Sequence, residues 1–421
     1  MMRNILISLI VLMLVQSTAH AAQTTITPSI SARTTYTSNV NRVPDDRDPQ
    51  DDLITTISPG VSLSVLGKNS DLTAAYVASR VFYKESTDNT FWRHRFSLSG
   101  NSQLTKNSNF NIGGSYLRTE DPADTDDVDF TDTGGRFLRE IYTADAGISY
   151  QFAKRGTISL GAGFGENQYE NPNSEDSRNY RASLGVSYGF LSQWTASLDL
   201  GYRYGEFEVT DNFDNFTGSV SLAYQINKRM SAYVTYQLTS YLSELDDNRD
   251  DADRVHDISA GFDYSIATDM NFNAQVGYFV RKLPDQDDES DTYANLSFTK
   301  SYKQGSISVS GGSGYDYTYF RAENLGFNYF YFANLRGNYS FSQRLSGNAY
   351  LGYRRNEYDR DNDTRDNYIA GCGISYQLLR WLSLGAGYDV RFYKPEEDSE
   401  EYTDQRVFIS LTASKDYLIW H

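Results

Sequence analysis

From residue 23 onward, apolar and polar side chains alternate with a period of two, and no stretch shows convincing 3.6-residue periodicity. In Trp194–Thr210, Ala196, Leu198, Leu200, Tyr202 and Tyr204 share one face, while Ser197, Asp199, Gly201, Arg203 and Gly205 share the other. In Trp381–Lys394, Leu382, Leu384, Ala386, Tyr388, Val390 and Phe392 oppose Ser383, Gly385, Gly387, Asp389, Arg391 and Tyr393. Tyr142–Phe152, Tyr180–Phe190, Phe216–Ile226, His256–Ile266, Phe272–Val280, Phe327–Phe341 and Tyr368–Leu378 repeat the pattern. Alternation over segments of about a dozen residues predicts strands with two faces in different surroundings.

The connections alternate between two kinds. One set is short, such as Lys154-Arg155-Gly156, Asn227-Lys228-Arg229 and Ala267-Thr268-Asp269. The other set is generally longer and acidic: 41–52, 85–90, 119–136, 170–178, 211–214, 244–254, 284–291, 322–325, 358–366 and 395–404. Together they predict twenty strands, with eighteen as the second count because Pro28 interrupts the first. About 20 residues per strand and connection suffices for a tilted membrane-crossing strand of about 9–11 residues.

The expected fold is therefore all-β: a transmembrane antiparallel up-and-down β-barrel. In a bilayer every backbone N–H and C=O must pair internally, and only a closed barrel lets strands do so without an edge. A lipid face and a polar lumen produce the alternation, and short turns opposite longer outer loops produce the asymmetry. Aromatic clusters at Phe91-Trp92, Tyr315–Phe320, Tyr329–Phe332 and Tyr417–Trp420 are expected to form interfacial girdles. A β-propeller, the soluble alternative, buries both strand faces and would read as more continuous Val, Ile and Leu runs.

The amino terminus adds a destination. Arg3 precedes an apolar run from Ile5 to Val15, and Ala19-His20-Ala21 has the small-x-small form of a signal peptidase site. Residues 1–21 are expected to be a Sec-type signal peptide and residues 22–421 a single outer-membrane barrel of a Gram-negative cell. The final strand carries Val407, Ile409, Leu411 and Ala413 at alternate positions and ends Tyr417-Leu418-Ile419-Trp420-His421, resembling the aromatic-ended strand that the outer-membrane assembly machinery reads.

Composition narrows the chemistry. The 421 residues include 34 Tyr, 23 Phe and one Cys, with 38 Lys plus Arg against 55 Asp plus Glu, a formal charge of −17. The single Cys excludes an internal disulfide framework, and the acidity argues against nucleic acid as a partner. A mean hydropathy of −0.56 excludes a multi-helix membrane protein but not a barrel, whose strands are apolar on one face only. No metal site or catalytic centre is expected: His94 and His256 fall on the lipid side without a ligand or hydrolase spacing, and Cys372 reads as a small outward hydrophobe. The acidic runs Asp124–Asp129, Asp246–Asp253, Asp359–Asp363 and Glu396–Glu401 read first as solvated, mutually repelling loops. Ca²⁺ or Mg²⁺ bridging these carboxylates to lipopolysaccharide phosphates is the middle reading, and a specific Ca²⁺ site the weakest.

Parity assigns Asp145, Asp199, Arg203, Asp263, Arg281, Arg336, Arg354, Asp389 and Arg391 to the lumen, with Phe330, Phe332, Asn334 and Tyr350 beside them. The mixed signs predict no strong ion selectivity. Flat rings beside Asn, Arg and Asp form the surface type that holds sugars, while mutual pairing of these groups across the wall is the simpler reading. No segment reads as a separate plug domain.

Strands such as Gly185-Val186-Ser187-Tyr188-Gly189, Gly201-Tyr202-Arg203-Tyr204 and Gly387-Tyr388-Asp389-Val390-Arg391 carry loose G-x-x-Y and G-Y-x-x-R pieces. With the signal, the alternation and the acidic loops, the chain resembles the second putative β-barrel porin family of outer-membrane proteins. The resemblance implies an outer-membrane channel, often linked to exopolysaccharide export, with a periplasmic export protein beneath it and no catalytic residues. A diffusion porin for hydrophilic solutes fits the same features. A surface adhesin or structural barrel using its acidic loops is the alternative, and a rim hydrolase the least favoured. Expected partners are outer-membrane lipid, lipopolysaccharide and the assembly machinery.

Overall fold

The computed structural model describes residues 23–124, 136–170, 175–209, 211–243, 252–284, 287–320, 323–359, 363–396 and 401–420. The segment expected to be a signal peptide, His421 and several of the acidic loop carboxylates, including Asp126, Asp246 and Glu397, lie outside them. The first ten strands are β1 (Gln23–Thr37), β2 (Asp52–Leu66), β3 (Ser70–Tyr83), β4 (Phe91–Thr105), β5 (Ser108–Thr119), β6 (Arg139–Ala153), β7 (Gly156–Tyr169), β8 (Ser177–Tyr188), β9 (Trp194–Phe207) and β10 (Phe213–Asn227). The remainder are β11 (Met230–Ser243), β12 (Asp253–Ala267), β13 (Met270–Lys282), β14 (Glu289–Tyr302), β15 (Gly305–Phe320), β16 (Glu323–Ser340), β17 (Leu345–Tyr358), β18 (Asp363–Leu379), β19 (Leu382–Pro395), β20 (Tyr402–Ser414) and β21 (Tyr417–Trp420).

Each strand pairs antiparallel with its sequence neighbours, and β1 also pairs with β20 and β21, closing the sheet. Because β20 and β21 are two pieces of one final stave, the result is a closed barrel of twenty strands, as the alternation predicts. The predicted short and long connections fall at opposite ends.

Two prolines interrupt the ladder without ending it, because each lacks the N–H its neighbour would accept. At Pro28 the pairing of β1 with the last stave skips from Ile26↔Tyr417 to Ser29↔Ser414. There the Pro28 carbonyl accepts the Lys415 N–H at 3.3 Å and Thr27 Oγ1 donates to Asp416 Oδ1 at 2.6 Å. At Pro59 the β2–β3 ladder skips from Ile57↔Arg80 to Gly60↔Val77, and the Ser58 and Ser79 hydroxyls bridge the gap at 2.8 Å.

The outer face carries an apolar belt. Ile30, Val61, Leu160, Val220, Val234, Ile258, Val276, Leu296, Leu351, Ile374 and Ile409 are all exposed on it. Leaving so many aliphatic side chains open to water would be costly, whereas a hydrocarbon surround accommodates all of them. His94 and His256 lie on this outer face near the long-loop end. Each ring Nδ1 shares a 2.8 Å hydrogen bond with a tyrosine hydroxyl, Tyr76 and Tyr236 respectively.

Candidate functional site

The interior holds a polar cavity of about 870 Å³ lined by residues of β5 to β16. From β5 to β14 its lining is built largely by odd-numbered residues, the face opposite the apolar belt. Two kinds of wall meet there. On β6 to β9, Gly147, Gly161, Gly163 and Gly201 keep the surface thin, with Asp145, Arg181, Ser183 and Arg203 projecting between them. On β10 to β14, Asn215, Thr217, Gln237, Asp257, Ser259, Gln275 and Asn295 supply amides, hydroxyls and a carboxylate. Some of these groups bond one another: Gln275 Nε2 donates to Ser259 Oγ at 3.1 Å and Tyr293 Oη donates to Asp257 Oδ1 at 3.1 Å.

Of the residues that parity assigns to the lumen, Asp145, Arg203 and Phe330 line this one cavity. Asp263 accepts from Asn273 Nδ2 at 2.7 Å on the same wall. Arg354 lies over the Phe330 ring, 4.2 Å from its centroid. Register puts Arg336 opposite Tyr350, Phe332 opposite Arg354, Asn334 opposite Gly352, Asp199 opposite Ser219, Asp389 opposite Arg406 and Arg391 opposite Asp404. Arg181, which the sequence reading did not single out, also lines the cavity and is the direct cross-strand partner of Arg203. Two like charges so placed are costly unless water or an anion lies between them.

The long-loop end is narrowed by the chain itself. The β14–β15 ladder runs from Tyr302↔Gly305 only to Asn295↔Gly312. Beyond that point β14 stays on β13 as far as Glu289, whereas β15 stays on β16. The upper part of the β15–β16 hairpin leaves the wall and lies across the inner faces of β11 to β14. Tyr317 and Phe327 pack with Val255 and Phe279 in one buried cluster, flanked by Tyr241, Tyr293, Tyr315 and Tyr329. The expected girdle at Tyr315–Phe320 and Tyr329–Phe332 is corrected on this point: Tyr315, Tyr317 and Tyr329 turn away from the lipid side into the lumen. Gly312 sits where the strands part; a Cβ there would strike the Ala294 carbonyl oxygen, so only glycine permits the approach.

Arg281 holds the folded-in hairpin. Its side chain, 6% exposed, reaches Asp253 at 2.8 Å, Glu289 at 3.0 Å and Asp359 at 2.7 Å. Three partners come from β12, β14 and the end of β17, so one guanidinium ties the wall to the strand that carries the hairpin. Parity placed Arg281 inward, and the sequence offered no sign of these partners.

A second inward body lies across β2 to β4. Val40, from the β1–β2 connection, joins Ile54, Val81, Tyr83 and Phe91. Arg93 meets Asp124 at 2.6 Å, Arg136 lies over Tyr83 at 4.3 Å, and Arg406 approaches Asp121 at 4.0 Å. Asp121, Asp124 and Arg136, at the described ends of the β5–β6 connection, are thereby held inside the rim. Among the described residues, no cluster of three or more His, Cys, Asp or Glu is spaced to hold a metal ion.

A closed sheet, apolar outside and polar within, is the fold of an outer-membrane β-barrel of porin-like type. Residues 257–415 match the family model described as "Putative beta-barrel porin 2", the family the strand motifs resemble, and residues 164–282 match one described as "Putative MetA-pathway of phenol degradation". No curated protein matches the chain. Among solved structures, it is similar to the siderophore receptor PirA of Pseudomonas aeruginosa, with 11% identity and a TM-score of 0.51 over 93% of this chain and 80% of that one. It is similar also to the FrpB iron transporter of Neisseria meningitidis, with 8% identity and a TM-score of 0.52 over 92% and 82%. The copper transporter OprC gives 10% identity and a TM-score of 0.50 over 92% and 80%. At such identities the likeness is one of fold.

Proposed function

We propose that the barrel is a passive outer-membrane channel for hydrophilic solutes, and that saccharides are its preferred cargo. The observation that carries this reading is the lining of the lumen cavity, in which amides, hydroxyls and mixed charges stand beside the rings of Tyr293, Tyr315 and Phe330. Rings cover the apolar faces of a sugar while Asn, Gln, Ser and Thr exchange hydrogen bonds with its hydroxyls, so a saccharide replaces its water without losing partners. Balanced charge disfavours a strongly ion-selective pore.

Export of an exopolysaccharide is the finer form of this proposal. It requires a periplasmic export protein at the short-turn end to impose direction, since a static wall supplies none. In this reading the chain reaches the membrane by Sec-type export, is inserted by the assembly machinery, and sits among lipid and lipopolysaccharide without catalytic work of its own.

Refolded protein in a planar bilayer, with neutral oligosaccharides added to each side in turn, tests the proposal. Steady current blocked by the sugars supports it. Silence from folded, heat-modifiable protein rejects the channel, and current indifferent to oligosaccharide rejects the cargo.

A further inference from the structure

The folded-in hairpin has a second place to go. Extending the β14–β15 register past Asn295↔Gly312 would pair Ala294 with Ser313, Tyr293 with Gly314, Thr292 with Tyr315 and Ser290 with Tyr317. The positions on β14 are present as strand and hold β13, yet they have no β15 partner beside them. In that extended register Tyr315 and Tyr317 share the face of Thr292, the outward one. Phe327 and Tyr329, their cross-strand partners, would face outward with them. Four aromatic residues would then stand at the long-loop end of the lipid face, where interfacial rings belong. The same four now pack against Val255, Phe279, Tyr241 and Tyr293. Two alternative surroundings satisfy one set of side chains.

We propose that the β15–β16 hairpin is a gate that exchanges between these two positions: folded against the inner wall, which narrows the passage, and zipped onto β14, which completes the wall and widens it. The proposal rests on the channel reading and specifies how that channel is regulated. Three features favour the folded position. Arg281 binds Asp253 and Glu289 of the wall and Asp359 of the moving side, and it covers Phe327. Gly312 allows β15 to cross close over β14 at the departure point. Zipping would also set Asp291 directly opposite Asp316 on the lumen face, a like-charge pair that costs stability. Opposing these is the edge of β14, whose unpaired backbone groups gain hydrogen bonds when the hairpin returns.

Two cysteine pairs sharing one position distinguish the states, in a background where Cys372, outside the gate, is replaced by Ser. Tyr241→Cys with Tyr317→Cys reports the folded position, in which those two rings stack with centroids 4.7 Å apart. Ser290→Cys with Tyr317→Cys reports the zipped one. Position 290 lies on β14, three strands or about 14 Å across the sheet from Tyr241, too far for both bonds to form from one position. The expected result is that each pair oxidises. The 241–317 bond should lower unitary conductance, the 290–317 bond should raise it, and thiol reduction should reverse both. If only the 241–317 bond forms, the hairpin is a fixed constriction and the gate is overturned while the channel reading survives. If both bonds form and neither form conducts, the channel reading fails and takes the gating role with it.

Discussion

The guanidinium carbon of Arg281 lies 4.0 Å from the centroid of the Phe327 ring, so a cation on the wall covers an aromatic side chain from the inward-folded hairpin. The same cation holds carboxylates on both sides of the junction. Its removal leaves three acids close together with no shared counter-charge.

Replacing Arg281 with Ala is expected to loosen the hairpin and raise unitary conductance. Removing one partner of a fully buried ion pair typically costs about 3–5 kcal/mol, and the loss here should be smaller because Glu289 and Asp359 are 38% and 46% exposed. Arg281→Lys should give a smaller change, because an ammonium lacks the planar fork that serves several carboxylates at once. Single-channel recordings check both, and unchanged conductance in the Ala variant would remove Arg281 from this role.

Phe279 is 1% exposed at the centre of the inner aromatic cluster. Phe279→Ala should weaken hairpin docking by about 3–5 kcal/mol, the usual cost of emptying such a site. Limited proteolysis of the β15–β16 tip should accelerate, while heat-modifiability of the whole barrel should persist. Equal proteolysis rates would mean that the hairpin does not depend on this ring.

Arg181 and Arg203 face each other across β8 and β9 on the lumen wall. Changing both to Gln should shift reversal potentials in a salt gradient towards cation preference. The shift should shrink as ionic strength rises, since the Debye length falls to about 3 Å at 1 M salt. No shift at low salt would place the pair outside the ion path.

Gly201 lines the cavity, and a Cβ added there would come no closer than 3.9 Å to another residue's atoms. Gly201→Gln is therefore expected to fold normally and to lower conductance by narrowing the thin wall. Normal folding with undiminished current would show that solutes pass elsewhere.

The strands and their closure were legible because lipid and lumen impose opposite demands on successive residues, which writes the fold into parity. Ala196 to Tyr204 and Leu382 to Phe392 are sufficient to show it. The ends were legible from turn length and acidity. Parity cannot say what the outward face of a particular segment touches. Tyr315 and Tyr317 alternate as girdle residues do, yet they cover Val255 and Phe279, some sixty and forty positions earlier in the chain. Arg281 reads as one inward charge, and its partners on three other segments come together only through register and the bend at Gly312. Arg181 was within reach: its face was readable, and its pairing with Arg203 required only the alignment of two adjacent strands.

The interruption at Pro28 bears on how the cylinder fails. At the join between first and last strands the ladder lapses opposite Lys415 and Asp416 while keeping its register, a second seam of weakness beside the one where β14 and β15 part. Thermal breathing should reach that join early, and the amides of Ser29 to Thr37 should lose their deuterium protection before those of the continuously paired β10–β11 wall. A barrel weakened at its closing seam opens there as a rolled sheet uncurls, from a defined edge.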